Sequence, residues 1–421
     1  MNVLVVGGGG REHALCWKLA ASPMKKRLFC APGNAGIAQV AECLDIAAND
    51  ILALRTAAKQ NKIDLTIVGP EEPLCAGIAD AFAEDGLLVF GPNKAAAEIE
   101  GSKAFARELC RRNKIPSPTH WTFENSMAAH AFLENRPEGP IVVKASGLAA
   151  GKGVVLAKNR QEARAAVEDF MERGRFGPAG QTVVLEETLV GDEASFIVLT
   201  DGKTIAPLDT ARDHKRLLDG DKGPNTGGMG TVSPAPGVGN RALRQIESQI
   251  VLPAIHGMNR EGRTFQGFLY AGVMLTNAGP RLLEFNCRLG DPETQPLMLR
   301  FDSDLLPYLH HAAKGTLDQL EAPKWDSRVA VCVVVASGGY PGEVKKGSLI
   351  FGLDRVESGP DLQVFHAGTK SKGADVVTNG GRVLSVTGMA RTVVEARDKV
   401  YQALAKIEFA GMQYRKDIAL T

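Results

Sequence analysis

The chain has 421 residues, 44% of them hydrophobic and 23% charged, a length that fits roughly two to four domains with substantial cores. Lys and Arg total 49 against 48 Asp and Glu, so the net charge is +1 and no global field is available to hold nucleic acid or an anionic membrane surface. An anionic substrate must be gripped locally, by placed cations and backbone amides.

The opening MNVLVVGGGG has no basic leader and turns glycine-rich, which reads as a strand entering a turn rather than a signal peptide. No apolar run approaches the roughly 20 residues of a bilayer span. Seven cysteines without a C-x-x-C pair fit neither a disulfide framework nor a zinc site. The expectation is a cytoplasmic protein with reduced thiols.

Over residues 1–92, the short apolar runs Val3–Val6, Leu65–Val68 and Leu87–Phe90 each end in glycine, with a helical pattern such as Arg11–Ala21 between them. Strand, helix and strand in repetition predict a parallel α/β sheet whose ligands meet the carboxyl ends of the strands. A helical stretch over Ala95–Asn113 leads out of this unit. Strands follow at Ile141–Lys144, Val154–Lys158, Thr182–Glu187 and Ala194–Thr200, with Asp201-Gly202 as a hairpin turn. They predict an α+β lobe. A glycine-rich loop at 220–230, a helix near 240–260 and a strand over Arg281–Phe285 come next. From Val329 the chain reads as strands closed by a helix at 392–407. The expected domains are an N-terminal α/β unit (1–100), a two-lobed middle (101–325, small lobe 116–190, large lobe 191–325) and a β-rich C-terminal unit (326–421).

Two phosphate motifs nearly match. Gly7-Gly8-Gly9-Gly10-Arg11-Glu12 places Glu where a dinucleotide fingerprint needs its last glycine, and the acidic ribose ligand about 20 residues on is missing. What remains is a glycine turn before a helix N-terminus, suited to one phosphate, or glycines that only let strand and helix pack. Ser146-Gly147-Leu148-Ala149-Ala150-Gly151-Lys152-Gly153 departs from a Walker A loop in glycine spacing, lacks its hydroxyl and runs into a strand. It reads as a flap over phosphates, with Lys144 on the incoming strand, or as a hairpin without a ligand.

Arg281-Leu-Leu-Glu284-Phe-Asn286-Cys-Arg288-Leu-Gly-Asp291-Pro-Glu293-Thr-Gln295 is the most informative stretch. Strand alternation points Glu284 and Asn286 one way and Leu283 and Phe285 into the core. Two oxygen ligands on one face suit Mg²⁺ that is shared with ATP phosphates; a solvated ion pair is the bland alternative. Glu186-Glu187-Thr188-Leu189 follows a strand. Its backbone could read adenine and Glu193 could hold ribose, although paired glutamates after a strand are usually solvated.

In this order the motifs resemble the ATP-grasp superfamily. Gly9-Gly-Arg-Glu-His13, Ala31-Pro-Gly-Asn34, Ile67-Val-Gly-Pro-Glu71, Gly223–Gly230, Glu284–Gln295, Phe365–Lys370 and Thr378–Arg382 are similar to its phosphoribosylamine–glycine ligase family. The resemblance implies an ATP-grasp fold with a Rossmann-like N-terminal domain and a C-terminal β-rich domain. It also implies an ATP-dependent ligase of purine biosynthesis that joins glycine to 5-phosphoribosylamine through an acyl phosphate, working as a monomer with Mg²⁺ or Mn²⁺.

The resemblance further implies roles. Lys103 and Lys144 would bind phosphates under a flap carrying Gly147, Gly151, Lys152 and Gly153. Glu186, Glu187 and Leu189 would hold adenine, Glu193 ribose, and Glu284 with Asn286 the metal. Arg288 would neutralise charge on the transferring phosphoryl group. Asp213 and Lys215, with Asn225, Thr226, Gly227, Gly228 and Met229, would order the glycine. Asp291, flanked by Gly290 and Glu293, would take its ammonium. Gly9, Gly10 and Arg11 would seat the sugar phosphate, with Lys370 and Arg382. The chemistry demands no histidine base, so His13 and His214 stay outside the catalytic set. Two rivals remain at this stage. One is an ATP-grasp ligase with another acid–amine pair. The other is a nicotinamide-dependent oxidoreductase or binding module built on the first domain.

Overall fold

The computed structural model describes residues 1–149 and 151–420. Strands β1 (Asn2–Gly7), β2 (Arg27–Pro32), β3 (Glu42–Cys43), β4 (Leu65–Val68) and β5 (Val89–Phe90) form a sheet in the order β3-β2-β1-β4-β5, parallel throughout. Val3–Val6 are fully buried, as an apolar run must be when helices cover both faces. The helices Gly10–Ala20 and Glu71–Ala76 start just after β1 and β4 and carry Arg11 and Glu71 to the carboxyl edge of the sheet.

The helix expected over 95–113 is two helices, Lys94–Gly101 and Lys103–Arg112. Between them Ser102 is extended (φ −140°, ψ 107°), and its hydroxyl accepts the Phe105 N–H at 3.1 Å. That cap stabilises a second helix start inside a run whose composition favours one helix.

Strands β6 (His120–Phe123), β7 (Ile141–Ala145), β8 (Val154–Ala157) and β9 (Val183–Glu186) form an antiparallel sheet in the order β6-β9-β7-β8. Its face packs Ile141, Val143, Val183 and Leu185 against the helices Ser126–Asn135 and Arg160–Val167 in a core of its own. Ala150, within the expected flap, lies outside the described residues.

Strands β10 (Asp192–Thr200), β11 (Ile205–Pro207), β16 (Gly267–Thr276) and β17 (Gly279–Asn286) form a second antiparallel sheet, ordered β11-β10-β16-β17. The Asp201 turn closes as expected, with Oδ1 accepting the Lys203 and Thr204 N–H groups. Alternation along β17 fails at one point. Gly272 opposes Glu284 and Val273 opposes Leu282, so Leu283 is a bulge. Leu282 and Phe285 therefore fill the core, while Leu283 sits at the cleft with Glu284 and Asn286, against the expected pattern.

The fourth sheet, β12 (Arg212–Asp213), β15 (Gly230–Ser233), β18 (Val329–Ala336), β19 (Leu362–His366) and β22 (Arg382–Ala390), runs β12-β15-β18-β22-β19. It takes β12 and β15 from a segment expected in the large lobe, with Thr231 opposite Cys332 and Cys332 opposite Thr387. Two hairpins stand apart from the large sheets: β13 (Arg216–Leu218) with β14 (Lys222–Asn225), the second of which falls inside the glycine-rich loop expected at 220–230, and β20 (Thr369–Lys372) with β21 (Asp375–Thr378).

Candidate active site

A cleft of about 1110 Å³ is lined by the helix Lys103–Arg112, by β7, β8, β9, β12 and β17, and by Arg382 of β22. Lys144, near the end of β7, crosses it. Its Nζ donates to the Leu283 carbonyl at 3.1 Å and lies 2.9 Å from Glu186 Oε2. Arg107 joins the same knot, with Nε and Nη2 on the two Glu186 oxygens at 2.6 and 3.0 Å. Its Nη2 also donates to the Leu283 carbonyl at 2.6 Å. The bulge at Leu283 turns that oxygen out of the β-ladder toward both cations. Lys103 Nζ donates to the carbonyls of Ala145 and Gly147, at 2.9 and 3.1 Å.

Charge in the cleft follows from these contacts. Burial alone would raise the Glu284 carboxyl, but Lys215, Lys144 and Lys103 outweigh it and hold the group below its usual range. Burial likewise opposes ionisation of Glu186, and Lys144 and Arg107 reverse that to about 2. Lys103 and Lys144 are both lowered, chiefly by burial.

Glu186 was expected to hold adenine together with the backbone near Leu189. Its carboxylate is instead taken by Arg107 and Lys144, which leaves only its backbone to face a base. Arg288 was expected to be free for a phosphoryl group. Its Nε donates to Glu71 at 3.0 Å, Nη1 to the Leu289 carbonyl at 3.2 Å, and Nη2 pairs with Glu100 at 2.9 Å. The turn at 9–11 was expected to offer free amides. Gly9 N–H donates to Glu12 Oε2 at 2.6 Å and Arg11 N–H to Asp291 Oδ2 at 3.3 Å, while the Arg11 guanidinium holds Glu12 and the Leu289 carbonyl.

Asp291 is thereby engaged, by Arg11, by Gln295 Nε2 at 3.0 Å and by Arg382 at 3.5 Å. Asp213 differs. Its Oδ1 is buried against Gly228, where a Cβ would come within 2.6 Å of it, and has no hydrogen-bond partner among the described residues. Burial first, then the neighbouring Glu293, push it well above the usual carboxylate range. Glu293 accepts from Ser195 Oγ and Tyr270 Oη, both at 3.0 Å. Lys215 reaches Glu193 at 3.2 Å and Glu284 at 3.9 Å.

Gly151, Gly153, Glu187, Leu189, Asn225, Thr226, Gly227 and Gly290 also line the cleft. Gly9, Gly10, Gly147, Lys152, Gly228, Met229 and Lys370 do not. Lys152 and Lys370 are exposed, the latter on the β20–β21 hairpin, and Met229 is fully buried in the core. Among the described residues no three His, Cys, Asp or Glu side chains converge as a ready metal cage. Glu284 and Asn286 present an oxygen pair of the kind that completes its shell from phosphates and water.

Residues 1–100, 101–294 and 330–421 match the N, ATP-grasp (A) and C domain models of phosphoribosylglycinamide synthetase. Over 419 residues the chain is 50% identical to the phosphoribosylamine–glycine ligase of Brucella melitensis, covering 99% of this chain and 97% of that one. The chain belongs to the phosphoribosylglycinamide synthetase family. The crystal structure of the Thermotoga maritima phosphoribosylamine–glycine ligase superposes with a TM-score of 0.85 at 32% identity, covering 99% of this chain and 100% of that one. A biotin carboxylase domain of Hydrogenobacter thermophilus 2-oxoglutarate carboxylase, solved with magnesium ADP and bicarbonate, reaches a TM-score of 0.76 at 17% identity, covering 98% and 91%. At that identity the likeness concerns fold alone, and the fold is the ATP-grasp one that the motifs implied.

In this member of the phosphoribosylglycinamide synthetase family, Arg107, Glu100 and Tyr270 line the site although no motif singled them out, and so does Glu71, whose Ile67–Glu71 motif was given no role. Arg107 had a signal: it stands one helical turn after Lys103 and so shares its face. Glu71 had its place after a sheet strand.

Proposed function

We propose that the chain joins glycine to 5-phosphoribosylamine through glycyl phosphate, converting ATP to ADP and phosphate and giving glycinamide ribonucleotide, a step of purine biosynthesis. The observation that carries it is the contact of Lys144 with the Leu283 carbonyl beside Glu284. It supports the reading because Lys144 and the strand tipped by Glu284 stand on opposite walls of one cleft, in a chain of this family.

In this reading Lys103 and Lys144 bind the ATP phosphates, and the backbone from Glu186 to Leu189 meets the adenine. Glu193 binds the ribose. A divalent metal held by Glu284 and Asn286, Mg²⁺ with Mn²⁺ as the alternative, supplies neutralisation of phosphate charge when bound. Lys103, Lys144 and Lys215 add fixed cations around the same point, so the glycine carboxylate meets a phosphoryl group whose charge is already offset. The carboxylate forms the acyl phosphate and the sugar amine displaces phosphate from it. No protein nucleophile takes part, and catalysis is positioning plus electrostatics.

For the glycine ammonium we assign Asp213, with Glu293 beside it, in place of Asp291. A buried acceptor without a partner is costly, and an ammonium donor satisfies it. Arg11 and Arg382, which flank Asp291, are the cations for the sugar phosphate; Lys370 is too far out on its hairpin. Arg288 acts by ordering Glu71 and Glu100 at the same wall. The three sheet-based units act as one chain, which we take to be a cytoplasmic monomer; no helix among the described residues is long and apolar enough to cross a membrane.

Substrate omission tests the reading. ADP release by the purified protein is expected only with both glycine and phosphoribosylamine, the latter generated in place. Steady ADP release with another acid–amine pair, and none with this one, would contradict it.

A further inference from the structure

The β13–β14 hairpin lines the cleft through Gly220, Asp221 and Asn225, yet it belongs to none of the large sheets. A two-stranded hairpin alone is marginal in water, so something else must hold this one. Its base is tied to the site, because the Thr226 N–H and Oγ1 both donate to the Lys215 carbonyl, at 2.8 and 2.9 Å. Movement of the hairpin would therefore carry Lys215 with it, and Asp213 two residues earlier.

Its tip is held by residues more than 190 positions away in the chain. Arg415, with a side chain only 2% exposed, donates from Nη1 to Asp221 Oδ1 at 2.7 Å and to the Arg216 carbonyl at 3.2 Å. Nε and Nη2 hold the two Asp417 oxygens, each at 2.7 Å. Asp417 in turn accepts the Gly220 N–H at 2.8 Å, and Lys416 N–H donates to Asp219 at 2.8 Å. Gly220 and Asp221 both have left-handed backbones (φ 67° and 53°), so the turn needs outside support to keep its shape. A planar guanidinium with fixed donors is suited to join two carboxylates and a carbonyl in one geometry.

We propose that Arg415 is a positioning residue for the ligation: with Asp417 it clasps the tip of the β13–β14 hairpin and so keeps Lys215 and Asp213 in register with Glu284 and Glu293. The proposal rests on the functional reading above. Arg415 acts through the hairpin, and its replacement should loosen the glycine end of the cleft while sparing the nucleotide end built on Lys103, Lys144 and Glu186.

The test compares Arg415→Met, Arg415→Lys and Asp221→Asn with the unaltered protein. Asp221 is largely exposed, so its variant carries little risk to folding. Arg415→Met should raise the glycine KM by about tenfold or more and leave affinity for a non-hydrolysable ATP analogue within about twofold. Amide exchange should quicken over 216–225 and stay unchanged over 141–186. Arg415→Lys should recover part of the glycine KM, and Asp221→Asn should quicken the same amides with a smaller rise in KM. An unchanged glycine KM with unchanged hairpin exchange in folded variants would overturn the proposal, and so would equal losses of glycine and nucleotide affinity. Failure of the unaltered protein to make glycinamide ribonucleotide would strike the functional reading instead, while the exchange pattern would still judge the clasp.

Discussion

Lys144 Nζ stands 3.1 Å from the carbonyl oxygen of Leu283, a residue 139 positions later in the chain. The contact spans the gap between the β7–β8 hairpin and the strand that carries Glu284 and Asn286. The cleft between them presents Lys103 and Lys144 on one side and the side-chain oxygens of Glu284 and Asn286 on the other.

The two walls should fail differently. Glu284→Ala should retain the fold and lose metal-dependent turnover by about 10³-fold, because the carboxylate proposed to hold the charge-offsetting metal is gone. Lys144→Ala should chiefly weaken nucleotide binding. Turnover of Glu284→Ala across a metal titration, and nucleotide affinity of Lys144→Ala by calorimetry, check the pair. Near-normal turnover at limiting metal would remove Glu284 from the metal role.

The Arg107–Glu186–Lys144 knot is buried, so its parts cannot be removed singly without cost. Glu186→Gln leaves two buried cations short of a counter-charge and should destabilise the protein by about 3–5 kcal/mol. It should also lower nucleotide affinity, since Lys144 loses the group that aims it. Denaturant unfolding measures the first effect and analogue binding the second. A stability change under about 1 kcal/mol would show that the knot is not the structural junction it is taken for.

Asp213→Asn should raise the glycine KM and leave ATP affinity unaltered. Asp291→Asn should act instead on the amine substrate, because Asp291 sits between Arg11 and Arg382. Measuring both KM values in both variants separates the assignments, and the reverse pattern would restore the ammonium to Asp291.

Stability against pH has a readable sign. Burial first, and for His13 also the neighbouring His366, hold His13 down to about 3 and His366 to about 4. Both are neutral in the folded chain and protonate near 6.5 when it unfolds. Their contribution is whole above about pH 6.5 and is lost as pH falls toward 4, with a slope approaching roughly 2–3 kcal/mol per unit when both titrate. His13 Nδ1 accepts the His366 N–H at 2.7 Å, a bond that a glutamine oxygen can also accept. His13→Gln should therefore flatten the decline without unfolding the protein at neutral pH. Glu186, held at about 2, adds a second loss that starts below about 4.5.

Much of this was legible in the sequence, because strands that end in glycine turns announce the carboxyl edge of a parallel sheet. The run Leu65–Val68 matches β4 at both ends. The break at Ser102 was hidden inside helix-forming residues, although serine before Lys103 is a cap signal. Strand periodicity cannot foresee a bulge, so Leu283 was placed in the core when its carbonyl serves the cleft. Pairing of β15 with β18 joins segments about 100 residues apart, which local pattern does not encode. The side-chain partners of Glu186 and Arg288, and the lack of one at Asp213, depend on packing between units that no single motif contains.

The most direct measurement follows one oxygen. With glycine labelled by ¹⁸O in its carboxylate, attack on the γ-phosphoryl group and later displacement by the sugar amine should move one label into the released phosphate. Phosphate formed together with glycinamide ribonucleotide but free of label would contradict the acyl phosphate, and with it the role given to the lysine and acid walls.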